Sequence, residues 1–121
     1  MRIIPTKKFN DDVEFYIRKR KFLKIRADIK TVTDELEKGN LIGDKLEGLN
    51  LPANTAAYKV RVANSSANVG KSGGFRVLYY VAIADEIYLV TVYSKKDDIR
   101  VPSDKQVELL IKAILQEATD S

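Results

Sequence analysis

The length and composition of the chain favour a single globular domain. The sequence has 121 residues, of which 45% are hydrophobic and 31% charged, as is typical of a folded protein. It contains no cysteine and no histidine, which excludes disulfides, thiolate chemistry and the commonest proton-transfer side chain near neutral pH. We therefore predict one domain over residues 1–121, in which any catalysis depends on Lys, Arg, Tyr, Asp or Glu.

The charge and the apolar runs bear on partners and location. Lys and Arg number 21 against 17 Asp and Glu, a net charge of +4, which fits either a polyanionic partner or a solvated basic surface. No apolar run approaches the ~20 residues that a membrane span needs, and the N-terminus becomes polar too early for a secretory signal. We expect a cytoplasmic protein with no membrane partner.

The first half of the chain predicts a short strand and two helices. Residues 2–6 form an apolar run that suits an edge strand, because Pro5 cannot donate to a sheet. Asn10 is the expected N-cap of the first helix, with Asp12 in its first turn. Apolar residues three and four apart predict the second helix, which Gly39 ends: Ile25, Ile29, Val32 and Leu36. Two such helices in succession predict an antiparallel helical hairpin.

The second half predicts three strands and a last helix. Residues 41–54 are rich in Gly, Asn and Asp and are typical of a loop. Alternation around residues 57–63 predicts a half-buried strand, and the apolar runs at 75–83 and 87–93 predict two more, joined by a tight hairpin. Ser103 and Gln106 fit the capping box of the final helix.

The order of these elements predicts an α+β fold. Successive strands with short links form antiparallel pairs, and amphipathic helices must bury their apolar stripes on the sheet. We expect an N-terminal helical hairpin packed on a small, mainly antiparallel four-stranded sheet, with a C-terminal helix.

Cations dominate the region of the predicted strands. Between residues 59 and 96 only two acids, Asp85 and Glu86, occur, and both lie in the predicted hairpin turn. Side chains two apart on a strand share a face, so we expect the cations to gather on one side of the sheet: Lys59, Arg61, Lys71, Arg76, Lys95 and Lys96. A solvated sheet face with ordinary surface cations is the alternative interpretation.

Three stretches of this region resemble a known family. They are Y-K-V-R-V at 58–62, G-K-S-G-G-F-R-V-L-Y-Y at 70–80 and I-Y-L-V-T-V-Y-S-K-K-D-D at 87–98. Together with the upstream helical hairpin they resemble RelE/HigB toxins, most of all the HigB branch, over nearly the whole chain. The resemblance implies a RelE-like fold and a toxin of a bacterial toxin–antitoxin pair, a ribosome-dependent endonuclease that cleaves mRNA in the ribosomal A site.

The resemblance also implies roles for single residues. Lys59 and Arg61 fall where the family places basic residues for phosphate binding and proton abstraction, and Arg76 falls on the transition-state arginine. Lys95 and Lys96 fall in a basic cluster that in close relatives includes an arginine acting as general acid. The C-terminal tyrosine of the RelE branch has no counterpart, which leaves Tyr93 as the nearest candidate for protonating the leaving group.

The remaining expectations concern the base, the partners and the cofactors. Repulsion between clustered cations lowers the pKa of a lysine, which would supply a base without histidine. The resemblance implies an antitoxin, expected to be a helix-turn-helix protein, and the ribosome with its mRNA as partners. No metal or cofactor is expected, and Asp97 with Asp98 fits a solvated turn better than a metal site. Additional RNA contacts are expected from Lys71 and from the basic run Arg18, Lys19, Arg20 and Lys21.

Two alternative functions stay open at this level. A ParE-like toxin shares the fold but poisons DNA gyrase by binding, and it does not need the convergence of cations. A non-catalytic module that binds RNA or the ribosome needs the same cations as the nuclease.

Overall fold

The chain folds around one five-stranded sheet. The computed structural model describes residues 1–120, and of these the side chains of residues 1–118. Its main elements are β1 (Arg2–Pro5), α1 (Lys7–Lys19), α2 (Ile25–Glu37), β2 (Asp44–Lys45), β3 (Ala56–Val62), β4 (Phe75–Val81), β5 (Glu86–Ser94) and α3 (Asp104–Asp120). Short 3-10 turns lie at Ser65–Ala67 and Asp98–Arg100.

The sheet has the strand order β1-β5-β4-β3-β2 and is mainly antiparallel. Only β1 runs parallel to its neighbour β5. The predicted α+β class is confirmed, but the count of four strands is wrong. The fifth strand is β2, whose two residues pair with β3 within the segment that the sequence indicated as a loop. A strand this short leaves no alternation for a sequence pattern to detect.

The first helix begins earlier than predicted. Its N-cap is Thr6, whose hydroxyl accepts a hydrogen bond from the backbone N–H of Phe9 at 3.1 Å. The prediction of Asn10 as the cap is therefore wrong, and Asp12 lies in the second turn, where its side chain is buried. The same Thr6 hydroxyl donates to the carbonyl of Leu89 at 2.8 Å, so the cap also ties the start of α1 to β5.

Both faces of the sheet are covered by helices. On one face α1 buries Phe9, Val13 and Tyr16, and α2 buries the apolar residues predicted for it, Ile25, Ile29, Val32 and Leu36, against the sheet. On the other face Val107, Ile111 and Ile114 of α3 pack against the sheet around Leu78 and Tyr80. The predicted capping box of α3 is present, since Ser103 N–H donates to Gln106 Oε1 at 2.8 Å and Gln106 N–H to Ser103 Oγ at 3.2 Å.

A β-bulge separates the part of this second face under α3 from the part that stays open. Leu78 pairs with Thr91 while the next residue, Tyr79, pairs with Leu89, so Val90 is the extra residue of β5. Val90 is buried in the cluster under α3. Beyond the bulge, the ends of β3, β4 and β5 carry polar side chains on this face. Among the described residues no helix has the length and apolarity to cross a membrane.

Candidate functional site

Strand alternation decides which side chains reach the open part of the sheet. In β3, Val60 and Val62 are buried under the helical hairpin. Their neighbours Lys59 and Arg61 therefore project from the opposite face. The sequence pattern predicted this arrangement, because a strand with one buried set of residues must present the other set to solvent.

The register of the sheet brings residues from three strands into one row. Arg61 of β3 lies opposite Arg76 of β4, and Arg76 lies opposite Tyr93 of β5. Side chains of directly paired residues lie on the same face and close together. The cavity over this row has a volume of about 340 Å³. A separate cavity of about 440 Å³ lies elsewhere, at the edge of the sheet. The row and its neighbours line it: Asp44, Lys59, Arg61, Arg76, Tyr93, Lys95 and Val101.

The charge in this cavity is unbalanced. Two arginines directly opposite each other repel, which is unfavourable unless an anion lies between them. Among the described residues, none of the cavity's cations Lys59, Arg61, Arg76 and Lys95 has an ion-pair partner within 4.0 Å, although nine such pairs occur elsewhere. The cavity therefore suits an anionic ligand such as a phosphodiester.

Arg76 is the most buried of these cations, with 7% of its surface exposed. Its guanidinium donates to three backbone carbonyls, those of Lys71 at 3.2 Å, Phe75 at 3.3 Å and Ser72 at 3.0 Å. Arginine has five N–H donors, so these three bonds leave two donors for a ligand. The carbonyls hold the guanidinium in place, and Arg76 in turn holds the loop before β4.

The loop before β4 leads into that strand through a close contact between two backbone segments. A Cβ on Gly74 would lie 2.2 Å from the carbonyl oxygen of Val62 and 2.8 Å from the amide nitrogen of Asn64. Only glycine fits such an approach. The glycine at the end of this loop thus brings Arg76 onto the row.

Tyr93 contributes a phenol to the cavity. Its side chain is buried, and burial raises the pKa of Tyr93 while the positive charge of Arg76 opposes that rise. The phenol is therefore protonated at neutral pH and has a proton to donate, although burial makes it a weaker acid. The adjacent Arg76 would stabilise the phenolate that remains.

Two of the predicted site lysines lie away from this cavity. Lys96 lines a separate groove with Arg20 and Asp97. Lys71 lines a cavity at the edge of β3 beside α2, which it shares with Lys59, Arg61 and Asp44. The expectation that all six cations gather on one side is therefore wrong for Lys96, whereas Lys71 stays beside Lys59 and Arg61. Lys95 and Lys96 lie in the turn after β5, which ends at Ser94, and the turn directs the two side chains to different sides.

The predicted RNA-binding run at the end of α1 is partly neutralised. Arg18 pairs with Glu14 at 3.3 Å and Arg20 pairs with Asp97 at 2.9 Å. Within residues 1–118, Lys19 and Lys21 have no ion-pair partner within 4.0 Å and are exposed. The expectation of a solvated turn is wrong for Asp97, because the turn is held against α1 through Arg20.

The sequence did not indicate that Asp12 is a buried acid, which holds α1 to β5 and to Arg100. Asp12 accepts hydrogen bonds from Lys8 at 2.5 Å, from Arg100 at 2.9 Å, from the backbone N–H of Val92 at 3.2 Å and from the hydroxyl of Thr91. The guanidinium of Arg100 also lies 3.8 Å from the centroid of the Phe15 ring. Asp12 lies three residues after Phe9 and four before Tyr16, on the same face of α1. This spacing is the sequence signal that Asp12 faces inward.

The sequence also did not indicate an acid in the cavity itself. Asp44 belongs to β2 and lies opposite Lys59, so it faces the same cavity as the cations. Within the described part of the chain, no three side chains of the metal-binding types come together, and we assign no metal ligands. The sequence matches no model of a known protein family, and no curated protein is significantly similar to it.

Proposed function

We propose that this protein is a ribosome-dependent mRNA endonuclease, the toxin of a toxin–antitoxin pair with a RelE-like fold. The observation that carries the proposal is the row Arg61–Arg76–Tyr93 across three strands. It sets two unpaired arginines beside a protonated phenol in an open cavity. The resemblance of residues 58–98 to RelE/HigB toxins supports the same conclusion.

The chemistry that fits this row is cleavage of RNA by its own 2′-hydroxyl. The 2′ oxygen attacks the adjacent phosphorus, the bond to the 5′ oxygen breaks, and the products carry a 2′,3′-cyclic phosphate and a 5′-hydroxyl. Arg61 and Arg76 would bind the non-bridging oxygens, whose charge increases in the transition state. Tyr93 would donate a proton to the 5′ oxygen, and the resemblance assigns proton abstraction to Lys59 or Arg61.

Dependence on the ribosome follows from what the cavity lacks. Proteins that bind single-stranded RNA on their own stack its bases on exposed aromatic rings, whereas Tyr93 is buried. Contacts to phosphate alone are weak and sensitive to salt. An enzyme with this surface gains most from a substrate that is already held in a reactive geometry. We propose that the ribosomal A site supplies it, in the cytoplasm.

The test is to compare naked mRNA with mRNA on translating ribosomes. Purified protein should leave naked mRNA largely intact and should cut ribosome-bound mRNA at codon-spaced positions. The 3′ ends should carry cyclic phosphate. Efficient cutting of naked RNA that ribosomes do not change would contradict the mechanism.

The same experiment separates a second candidate, a module that binds RNA or the ribosome without cutting. In its favour, three N–H donors of Arg76 are already bonded to backbone carbonyls. Stalled ribosomes with intact mRNA would support that candidate.

An arrest of DNA replication in place of translation would support the ParE-like alternative. A helix-turn-helix gene adjacent to this one is the expected source of the antitoxin.

A further inference from the structure

Asp44 is placed in the cavity by a backbone contact that only glycine permits. The preceding residue, Gly43, has φ +96°, and a Cβ there would lie 2.6 Å from the carbonyl oxygen of Lys59. This glycine lets β2 approach β3 closely enough to pair Asp44 with Lys59. Paired residues share a face, so the carboxylate lies on the same side of the sheet as Lys59 and Arg61.

The carboxylate differs in kind from everything else that lines the cavity. Ammonium and guanidinium groups only donate hydrogen bonds, the phenol of Tyr93 stays protonated, and Val101 is apolar. A carboxylate is ionised at neutral pH and accepts protons. Among the described residues, the carboxylate of Asp44 has no hydrogen bond and no ion-pair partner within 4.0 Å, and Asp44 is exposed, so the carboxylate oxygens are available to a substrate.

We propose that Asp44, in place of Lys59 or Arg61, to which the resemblance gives this step, is the general base of the cleavage reaction, a role that rests on the proposed endonuclease function. The 2′-O–H bond breaks and its proton moves to a carboxylate oxygen of Asp44 as the 2′ oxygen bonds to phosphorus. The bond from phosphorus to the 5′ oxygen breaks, and that oxygen takes the proton of Tyr93. One proton is gained by Asp44 and one is lost by Tyr93, so no co-reactant is consumed.

The order of strands supports this division of roles. Asp44 is on β2, opposite Lys59 and so two residues along from Arg61, and Tyr93 is on β5. The strands that carry the arginines, β3 and β4, lie between them. Three strand spacings separate the two backbones by roughly 14 Å. Base and acid are thus too far apart to neutralise each other directly. They reach the proposed phosphate site from different strands, which lets the base act on the 2′-hydroxyl and the acid on the 5′ oxygen.

The test uses the full-length protein, translating ribosomes and three variants. Asp44→Asn should lower kcat by about 10²–10⁴-fold, the usual contribution of a general base. KM should stay the same or fall, because a negative charge is removed from a site that binds phosphate. Asp44→Glu keeps a carboxylate and should retain part of the rate. Glu47→Gln removes an exposed acid three residues away, outside the cavity, and should leave kcat unchanged.

The dependence of kcat on pH provides a readout that a structural role would not change. In the wild type the rate should fall at acidic pH as the base takes up a proton, and Asp44→Glu should keep this decrease. Asp44→Asn should lose it.

Wild-type kcat in Asp44→Asn would overturn the role of Asp44 and leave the endonuclease proposal intact. A lower kcat with an unchanged acidic limb, or with a higher KM and a lower Tm, would also overturn it. A wild-type protein that cuts no ribosome-bound mRNA would overturn both proposals.

Discussion

Two charged regions lie near the same end of β5, and they differ in whether their charges are matched. Around Asp12, one buried carboxylate meets two cations, a hydroxyl and a backbone N–H, and the Phe15 ring covers Arg100. In the cavity over Arg61 and Arg76, four cations and one acid have no ion pair within the described residues. Matched charges in a protein interior stabilise one arrangement, whereas unmatched charges in an open cavity leave binding energy for a ligand.

The two regions are joined by the chain segment between β5 and α3. This segment runs from Lys95 to Val101, both of which line the cavity, through the turn Asp98–Arg100. Arg100 bonds to Asp12 and Asp97 to Arg20, so α1 holds the segment at two points. The matched network therefore positions one wall of the unmatched cavity.

The largest effect is expected from breaking the matched network. Asp12→Ala should lower the free energy of unfolding by about 3–5 kcal/mol, because it leaves Arg100 and Thr91 without the partner they share. The side chain of Asp12 is only 2% exposed, so solvent cannot replace the lost bonds. Urea denaturation followed by circular dichroism measures the loss.

Asp11→Ala is the matched control for this change. Asp11 is the neighbouring acid on α1, and its pair with Lys7 is exposed. Such a pair in a helix contributes about 0.3–0.5 kcal/mol. Equal losses for the two variants would show that the Asp12 network does not carry the stability we assign to it.

A smaller effect, on activity more than on stability, is expected from the unmatched cavity. Arg76→Ala should lower the cleavage rate by about 10²–10³-fold, the usual loss for one transition-state cation. It should relieve growth arrest when the protein is expressed without its antitoxin. Circular dichroism should show the native spectrum with a lower Tm, because Arg76 lies on the sheet face away from the helical hairpin but bonds the loop before β4. Full toxicity in this variant would contradict the assignment.

The smallest effect is expected from the two neighbouring lysines after β5. Lys95 lines the cavity and Lys96 lies in the groove with Arg20 and Asp97. Lys95→Gln should reduce the slope of log affinity against log salt by about 0.7, which corresponds to one phosphate contact with single-stranded RNA. Lys96→Gln should leave that slope unchanged. Filter binding of an RNA oligonucleotide over a salt series measures both slopes. A reduced slope for Lys96→Gln with an unchanged slope for Lys95→Gln would show that the RNA lies on the other side of β5.

Local sequence patterns determined most of the helices and strands and the placement of two cavity residues, Lys59 and Arg61. The apolar spacing of α1, α2 and α3 and the alternation of β3 each follow from the period of a single element. The same alternation placed Lys59 and Arg61 together on the face opposite the hairpin. These features depend on residues close in sequence, which is why the sequence alone determined them.

The rest was decided by contacts between distant segments. The pairing of Asp44 with Lys59 depends on the register of a two-residue strand, and the burial of Asp12 depends on Thr91, Val92 and Arg100, some 80 residues away. The placement of Lys95 in the cavity and of Lys96 in a separate groove depends on the path of the chain after the end of β5. No local period encodes these relations, because each arises only when hydrogen bonding and burial bring remote parts of the chain together.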